Sequence, residues 1–261
     1  MFRLVLWATL LLPAYLTAQN PLLSVTDAGT VGLAGAGVGT GGLSALWLNP
    51  AGLASGRGLS FGASVIQPYG LSELRLVTGG VLYRGFGLQL AAQGFGDYRA
   101  NRFGVVYGRS VSANWRIGGA LVALRQSVRG YPAQTRFLPA IGVQFSATER
   151  LVCGLQLTKP AAAGDLPFLG TVGLKYQLSE RVNLLVDEVY DGFRGLSTRL
   201  GLCYAPVRQV ELRLGFRTAP GQITFGATYL LGGEMMVAAA GAQHPLLGTT
   251  AGLGIRREST E

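Results

Sequence analysis

The chain is poor in charge, in lysine, in histidine and in long apolar runs, and each shortage removes a class of protein. Charged residues make up 13% of the 261 positions, about half the ~25% of an ordinary soluble domain. Hydrophobic residues reach 49% and the mean hydropathy is +0.34, a balance suited to a membrane. Yet the one continuous apolar run, Leu4–Leu16, falls short of the ~20 residues that a spanning helix needs. Without spanning helices, a closed β-barrel is the other structure a bilayer permits. Lysine occurs only at 159 and 175, so the net charge of +9 rests on arginines scattered among turns and strands. They form no basic patch interleaved with aromatics, which argues against nucleic-acid binding. Cys153 and Cys203 are the only cysteines and lack metal-ligand or framework spacing. His244 is the sole histidine, too few for a metal cluster or a nucleophile–base triad. Asp187 and Glu188 are chain neighbours, so on a strand they point to opposite faces and cannot act as a carboxylate pair. No catalytic constellation, metal site or cofactor is expected, and the chain reads as a non-enzyme.

Glycine is abundant: 40 residues spread along the whole length, which disfavours long helices. Residues 1–19 have the form of a secretory signal peptide, with Arg3 before the apolar run and Thr17-Ala18-Gln19 as a small-residue exit. Residues 20–56 follow as a Gly/Ala-rich segment ending in Asn49-Pro50-Ala51-Gly52-Leu53. Each glycine loses much backbone freedom on ordering, so such a segment needs an enclosure. It is expected to be a plug, with a weak helix over 43–48 stopped by Pro50. Gly37–Gly42 formally satisfies G-x-G-x-x-G, but no buried strand precedes it and no acidic residue follows near Gly58–Gly62, so a dinucleotide site is not expected.

From Leu59 to Ile255 the chain alternates with period two in fourteen blocks of about the length of a tilted membrane strand. In the block at Val210, Leu212, Leu214 and Phe216 oppose Glu211, Arg213, Gly215 and Arg217. Connections after even blocks are short (Arg84-Gly85, for example), and those after odd blocks are expected to be longer, as at 67–72, 126–135, 158–169 and 239–248. Aromatics of the apolar face (Tyr107, Trp115, Phe145, Tyr176, Tyr204 and Tyr229) then collect on the short-turn side, as a girdle at a membrane interface would. The expected fold is all-β: an antiparallel transmembrane barrel of about 14 strands over 57–256, an N-terminal plug, and a tail at 257–261.

Gly32–Gly37, the run Ser44–Leu53 containing Asn-Pro-Ala, and the closing His244–Thr249 resemble the FadL-type outer-membrane proteins, and in particular the Bacteroidota branch of PorV and PorQ. The resemblance is specific over about 30 residues. It implies a fourteen-stranded barrel plugged by a hatch at Asn49, Pro50, Ala51 and Gly52, in the outer membrane of a Gram-negative cell. It also implies passage of small hydrophobic solutes, which leave sideways into outer-membrane lipid at a kinked third strand. Gly94 and Gly96 are the candidate kink, or else the start of an outer loop. The PorV/PorQ branch implies a second reading: an accessory or anchoring barrel whose partners are proteins of type IX secretion. The chain departs from both patterns in having no long helical outer excursion and no terminal aromatic.

Two readings stay open at the candidate site residues. Asn49 either bonds the plug to the wall or only caps the turn before Pro50. Lys175, Asp187, Arg199, Glu211 and Arg213 are expected to face the lumen, where they pair with one another or with the plug. His244 is expected to be solvated in a Pro-containing loop.

Overall fold

A computed structural model describes residues 25–159 and 166–259; the expected leader, 1–19, and the first residues of the plug, 20–24, lie outside the described residues. The period-two blocks become β1 Leu59–Gln67, β2 Leu76–Tyr83, β3 Phe86–Phe95, β4 Tyr98–Ser110, β5 Trp115–Val128, β6 Gln134–Ser146 and β7 Leu151–Thr158. They continue as β8 Leu169–Ser179, β9 Val182–Asp191, β10 Gly195–Val207, β11 Val210–Arg217, β12 Gln222–Gly232, β13 Met235–His244 and β14 Gly248–Arg257. Every strand pairs with its chain neighbours, and β1 closes on β14 from Phe61↔Arg257 to Gln67↔Ala251, giving a closed antiparallel barrel.

Alternation sorts the two faces. Large apolar side chains such as Phe86, Leu121, Ile141, Leu214 and Phe225 stand exposed on the outside, while Gln89, Gln144, Asp187 and Arg213 are buried inside. A water-soluble sandwich would reverse that sorting. At the end with the short turns, Phe86 stacks on Tyr107 with ring centroids 4.4 Å apart, and Trp115 on Phe145 at 4.6 Å. Both are directly opposed pairs in the ladder. The expected aromatic girdle is therefore present there.

The opposite, outer end differs from expectation in its loops. The β3–β4 connection is two residues and the β9–β10 connection three, so the outer loops are not uniformly long. The loop expected over 239–248 shrinks to 245–247, because β13 runs on to His244. Its Ala238–Ala242 stretch lacks the large outward residues that make alternation visible. His244 is likewise not solvated. It is buried, its Nδ1 accepts from the backbone N–H of Leu246 and Leu247 at 3.1 and 3.2 Å, and its ring meets Tyr69 edge-on.

The segment before β1 fills the short-turn half of the lumen with two single-turn helices, α1 Ala28–Val31 and α2 Ala45–Leu48, and a 3-10 turn over Pro50–Ser55. The wall accepts it because inward positions of successive strands carry glycine. A Cβ on Gly108 or Gly118 would strike the backbone of Pro50, one on Gly142 the Asn49 side chain, and one on Gly154 the Val38 carbonyl. Around the rest of the circumference, Gly80 and Gly87 face Leu46, Gly215 faces Leu33 and Ala34, and Gly226 faces Gly32. These glycines sit at neighbouring register positions, as in Gly108↔Gly118↔Gly142 and Gly201↔Gly215, and form a belt without side chains.

The belt makes a testable contrast. Gly118→Val should lower the heat-modifiability midpoint on gels, equivalent to about 1–3 kcal/mol of overpacking. Gly79→Val, an outward position where the added Cβ meets only one carbonyl at 3.8 Å, should leave the midpoint within experimental scatter. Equal effects would refute a belt shaped by the plug.

Candidate functional site

The plug has too few residues to satisfy its own backbone, and the wall supplies what is missing. Asp187 lies on β9 and Arg199 directly opposite on β10. Asp187 Oδ2 accepts from the N–H of Gly37 and Val38 at 2.7 and 3.0 Å, and Arg199 Nη1 donates to the Gly35 carbonyl at 3.2 Å. Gln144 of β6 donates to the carbonyls of Val38 and Thr40 at 3.0 and 2.7 Å. Thr224 Oγ1 on β12 accepts from the N–H of Ala34 at 2.9 Å, and Ser64 Oγ on β1 from that of Ala28 at 3.2 Å.

Asn49 does both things left open for it. Its Oδ1 accepts from Ala51 N–H at 3.1 Å, capping the 3-10 turn, while Nδ2 donates to Val38 O at 2.8 Å and reaches the wall carbonyls of Val143 and Leu155 at 3.2 and 3.4 Å. It gets that close because Gly142 and Gly154 flank those carbonyls. Pro50, Ala51 and Gly52 are fully packed beside it.

The lumen charges split between the two expected arrangements. Arg213 donates to Glu211 at 2.6 Å, a pair within the wall of β11. Asp187 and Arg199 bond the plug instead. Lys175 is half-buried on β8, and the plug backbone at Gly39 rests against its Cβ and N–H. Sequence reasoning missed Gln144, Thr224 and Glu258. Glu258, just past β14, turns inward and accepts from Leu43 N–H at 3.0 Å beside Arg256 at 3.8 Å. Their shared signal is an inward polar residue facing glycine-rich backbone, visible only once the register is known.

Gly94 ends β3 with φ +140°, and Gly96 lies in the two-residue turn to β4. The β2–β3 ladder is unbroken from Leu76↔Gln93 to Tyr83↔Phe86, and β3–β4 from Phe95↔Tyr98 to Phe86↔Tyr107. The β2–β3 ladder thus stops one residue before Gly94, which still pairs with Arg99 of β4, and Gly96 lies in the outer turn.

On the outer side of the plug lies a cavity with about 70 Å³ of free space. Leu46, Trp47 and Leu48 form its floor, and Ala120, Val122, Leu138 and Ala140 of β5–β6 one wall. That wall belongs to an apolar cluster that runs on to Leu76, Ala100 and Leu124, with Leu166 of the β7–β8 connection packed against it. Gln156, Thr158, Thr171, Asp187 and Arg199, on β7–β10, line another side. A second, smaller cavity of about 20 Å³ lies between the plug and β14–β1–β2, and Trp47 lines both. Among the described residues no group of three or more His, Cys, Asp or Glu could hold a metal ion.

Fold and site together define a plugged fourteen-stranded barrel of the outer-membrane type, with a partly apolar cavity over its plug. Solved structures share this architecture. The CymD monoaromatic hydrocarbon channel aligns with a TM-score of 0.69 at 12% identity, covering 94% of this chain and all of its own. The Ralstonia pickettii toluene transporter TbuX aligns at 0.66 and 12%, covering 90% of this chain and 99% of its own. A Pseudomonas aeruginosa FadL homologue aligns at 0.61 and 12%, covering 89% and 98%. At such identities the likeness establishes the fold, that of FadL-type channels, and does not carry the finer placement in the PorV/PorQ branch. No protein-family model and no curated protein matches the sequence.

A native thiol reports on the plug. Cys203 is buried inside the lumen with Leu33 and Ala36 of the plug, whereas Cys153 pairs with the outward Phe145 and Leu174. In a Cys153→Ser background, maleimide labelling of Cys203 should be slow, and Asp187→Ala with Arg199→Ala should speed it at least tenfold as the loop at 35–38 detaches. An unchanged rate would show that these two residues do not hold the plug.

Proposed function

We propose that the protein is an outer-membrane channel through which small hydrophobic compounds pass, and that it is not an enzyme. The observation that carries this reading is the chamber over the plug. Leu46, Trp47, Val122 and Leu138 form its floor and one wall. An apolar interior gives a barrel no advantage in passing ions or sugars, since polar solutes lose hydration there without replacement. A hydrophobic solute gains from the same surface. The structural neighbours whose names specify hydrocarbon or toluene transport support the same class of cargo.

The protein's place is the outer membrane, with the short turns and plug on the periplasmic side and lipid against the exposed apolar band. The solute enters at the outer mouth, rests on the plug, and leaves sideways into the bilayer, because the anchored plug blocks the direct way down. Gly94 and Gly96 are one candidate position for that exit. A second is the wall in front of the smaller cavity, where Gly62 pairs with Gly80 and Ala63 with Gly79. None of those four residues carries a side chain larger than a methyl, and Leu43 and Leu46 of the plug pack behind Gly62 and Gly80.

The test is uptake of labelled toluene by Gram-negative cells whose lipopolysaccharide leaflet slows such solutes. Expression of the protein should raise uptake severalfold over empty-vector cells, and Ala140→Trp, which fills the chamber, should return it to background with the barrel intact. The Gly94→Val, Gly96→Val double variant lowers uptake if the exit lies at the third strand and leaves it unchanged if the exit lies at β1–β2. No uptake above background by a folded, surface-exposed barrel would contradict the channel reading.

A further inference from the structure

The chamber is not uniformly apolar, and its polar side is specific enough to select among hydrophobic solutes. Resting on the channel reading above, we propose that its preferred cargo is a neutral, hydroxyl-bearing amphiphile, a one-ring phenol or an alcohol of similar size, rather than a pure hydrocarbon or an organic acid.

Three observations point to that chemistry. First, Gln156 and Thr171 are directly opposed on β7 and β8, both inward, with Thr158 two residues further along β7. Among the described residues none of these three side chains has a protein hydrogen-bond partner. An amide and two hydroxyls present both donors and acceptors to the chamber. A hydrocarbon resting there strips their water and returns no hydrogen bond, which is a net loss. A hydroxyl on the same ring restores both a donor and an acceptor.

Second, the charged groups of the lining already have hydrogen-bond partners. Asp187 and Arg199 face each other across β9–β10 and are both committed to the plug backbone. Across the chamber, Arg102 Nε donates to Gln89 Oε1 at 3.2 Å. An ammonium head entering here would meet two guanidiniums against one carboxylate, and a carboxylate head would have to compete with the Gly35 carbonyl or Gln89 for an arginine, whereas a hydroxyl costs far less to bury.

Third, polar and apolar surfaces meet at one height. Ala140 of β6 pairs with Thr158 of β7, so the apolar wall changes to the polar one between adjacent strands. A ring laid on Leu138 and Trp47 therefore directs a substituent at its edge towards Thr158, Gln156 and Thr171. The polar side is in reach of a head on a small ring, without a long tail.

The experiment is a binding titration on the full-length protein in detergent. A Trp7→Phe, Trp115→Phe background leaves Trp47, in the chamber floor, as the fluorophore. Toluene, 4-methylphenol and 4-methylbenzoate share a ring and a methyl group and differ in the head. At equal free concentration 4-methylphenol should bind at least tenfold more tightly than either of the others. The Gln156→Leu, Thr171→Val pair, neither of which touches the plug, should cut that advantage over toluene to under threefold without weakening toluene. Equal binding of toluene and 4-methylphenol, tighter binding of the benzoate, or an advantage untouched by the double variant would each overturn the inference. Cellular uptake of toluene separates the failures: uptake with no hydroxyl preference overturns the head-group assignment alone, whereas no uptake and no binding overturns the channel reading with it.

Discussion

The barrel can hold a folded segment inside it only where its inner wall has no side chains. Gly108, Gly118, Gly142, Gly154, Gly215 and Gly226 let the backbone of Gly32–Leu53 lie directly on the sheet. Glycine weakens a strand interior, and here closure of the sheet, which leaves no free edge, offsets that weakness. The close approach also decides the polar chemistry. At such short range, side chains from non-glycine inward positions (Asp187, Gln144, Thr224) reach plug N–H and carbonyl groups directly. Asn49 does the converse, reaching from the plug into the ladder between Val143 and Leu155.

The fold was largely legible because a membrane barrel writes its two faces into alternate residues. The fourteen strands, the closed sheet and the girdle at Tyr107, Trp115, Phe145 and Tyr176 follow from that period. Legibility ends where the period fades. Ala238–Ala242 carries no large outward residue, so a strand looked like a loop. The connection expected over 67–72 runs on to Arg75, because Ser72–Leu74 forms a 3-10 turn before β2 begins at Leu76. The inward set Lys175, Asp187, Arg199, Glu211 and Arg213 was legible from parity alone. Their partners were not, since the contacts of Asp187 with Gly37 and Val38 span about 150 residues of chain. His244 shows the same limit: a lone histidine beside Pro245 reads as solvated, but its imidazole accepts from the turn it precedes.

The interior divides by strand. On β1–β6 the inward residues above the plug include Ile66, Leu76, Val122, Leu124 and Leu138 with Gln89 and Arg102 among them, whereas β7–β12 are richer in polar groups, Gln156, Asp187, Arg199, Arg213 and Thr224, beside Leu169 and Val189. The plug follows the same division. Its Leu43–Leu53 portion packs against the apolar strands, and its Gly35–Val38 loop is hydrogen-bonded to the polar ones. Burial weighs most in the first portion, where Leu43 and Asn49 are also hydrogen-bonded to residues outside the plug, and directional bonds weigh most in the second. The chamber inherits both surfaces, an apolar floor and wall beside a polar side, and its chemistry follows from how the plug is held.

The central claim is that residues 28–55 are a structural part of the barrel interior and not a loose leader in a pore. Amide hydrogen exchange resolved along the chain tests it most directly. The account predicts that the N–H groups of Ala34, Gly37, Val38, Leu43 and Ala51 are protected to within about tenfold of the strand amides of β4–β6. Exchange of those five at the rates of an unstructured peptide, with the barrel strands still protected, would contradict it.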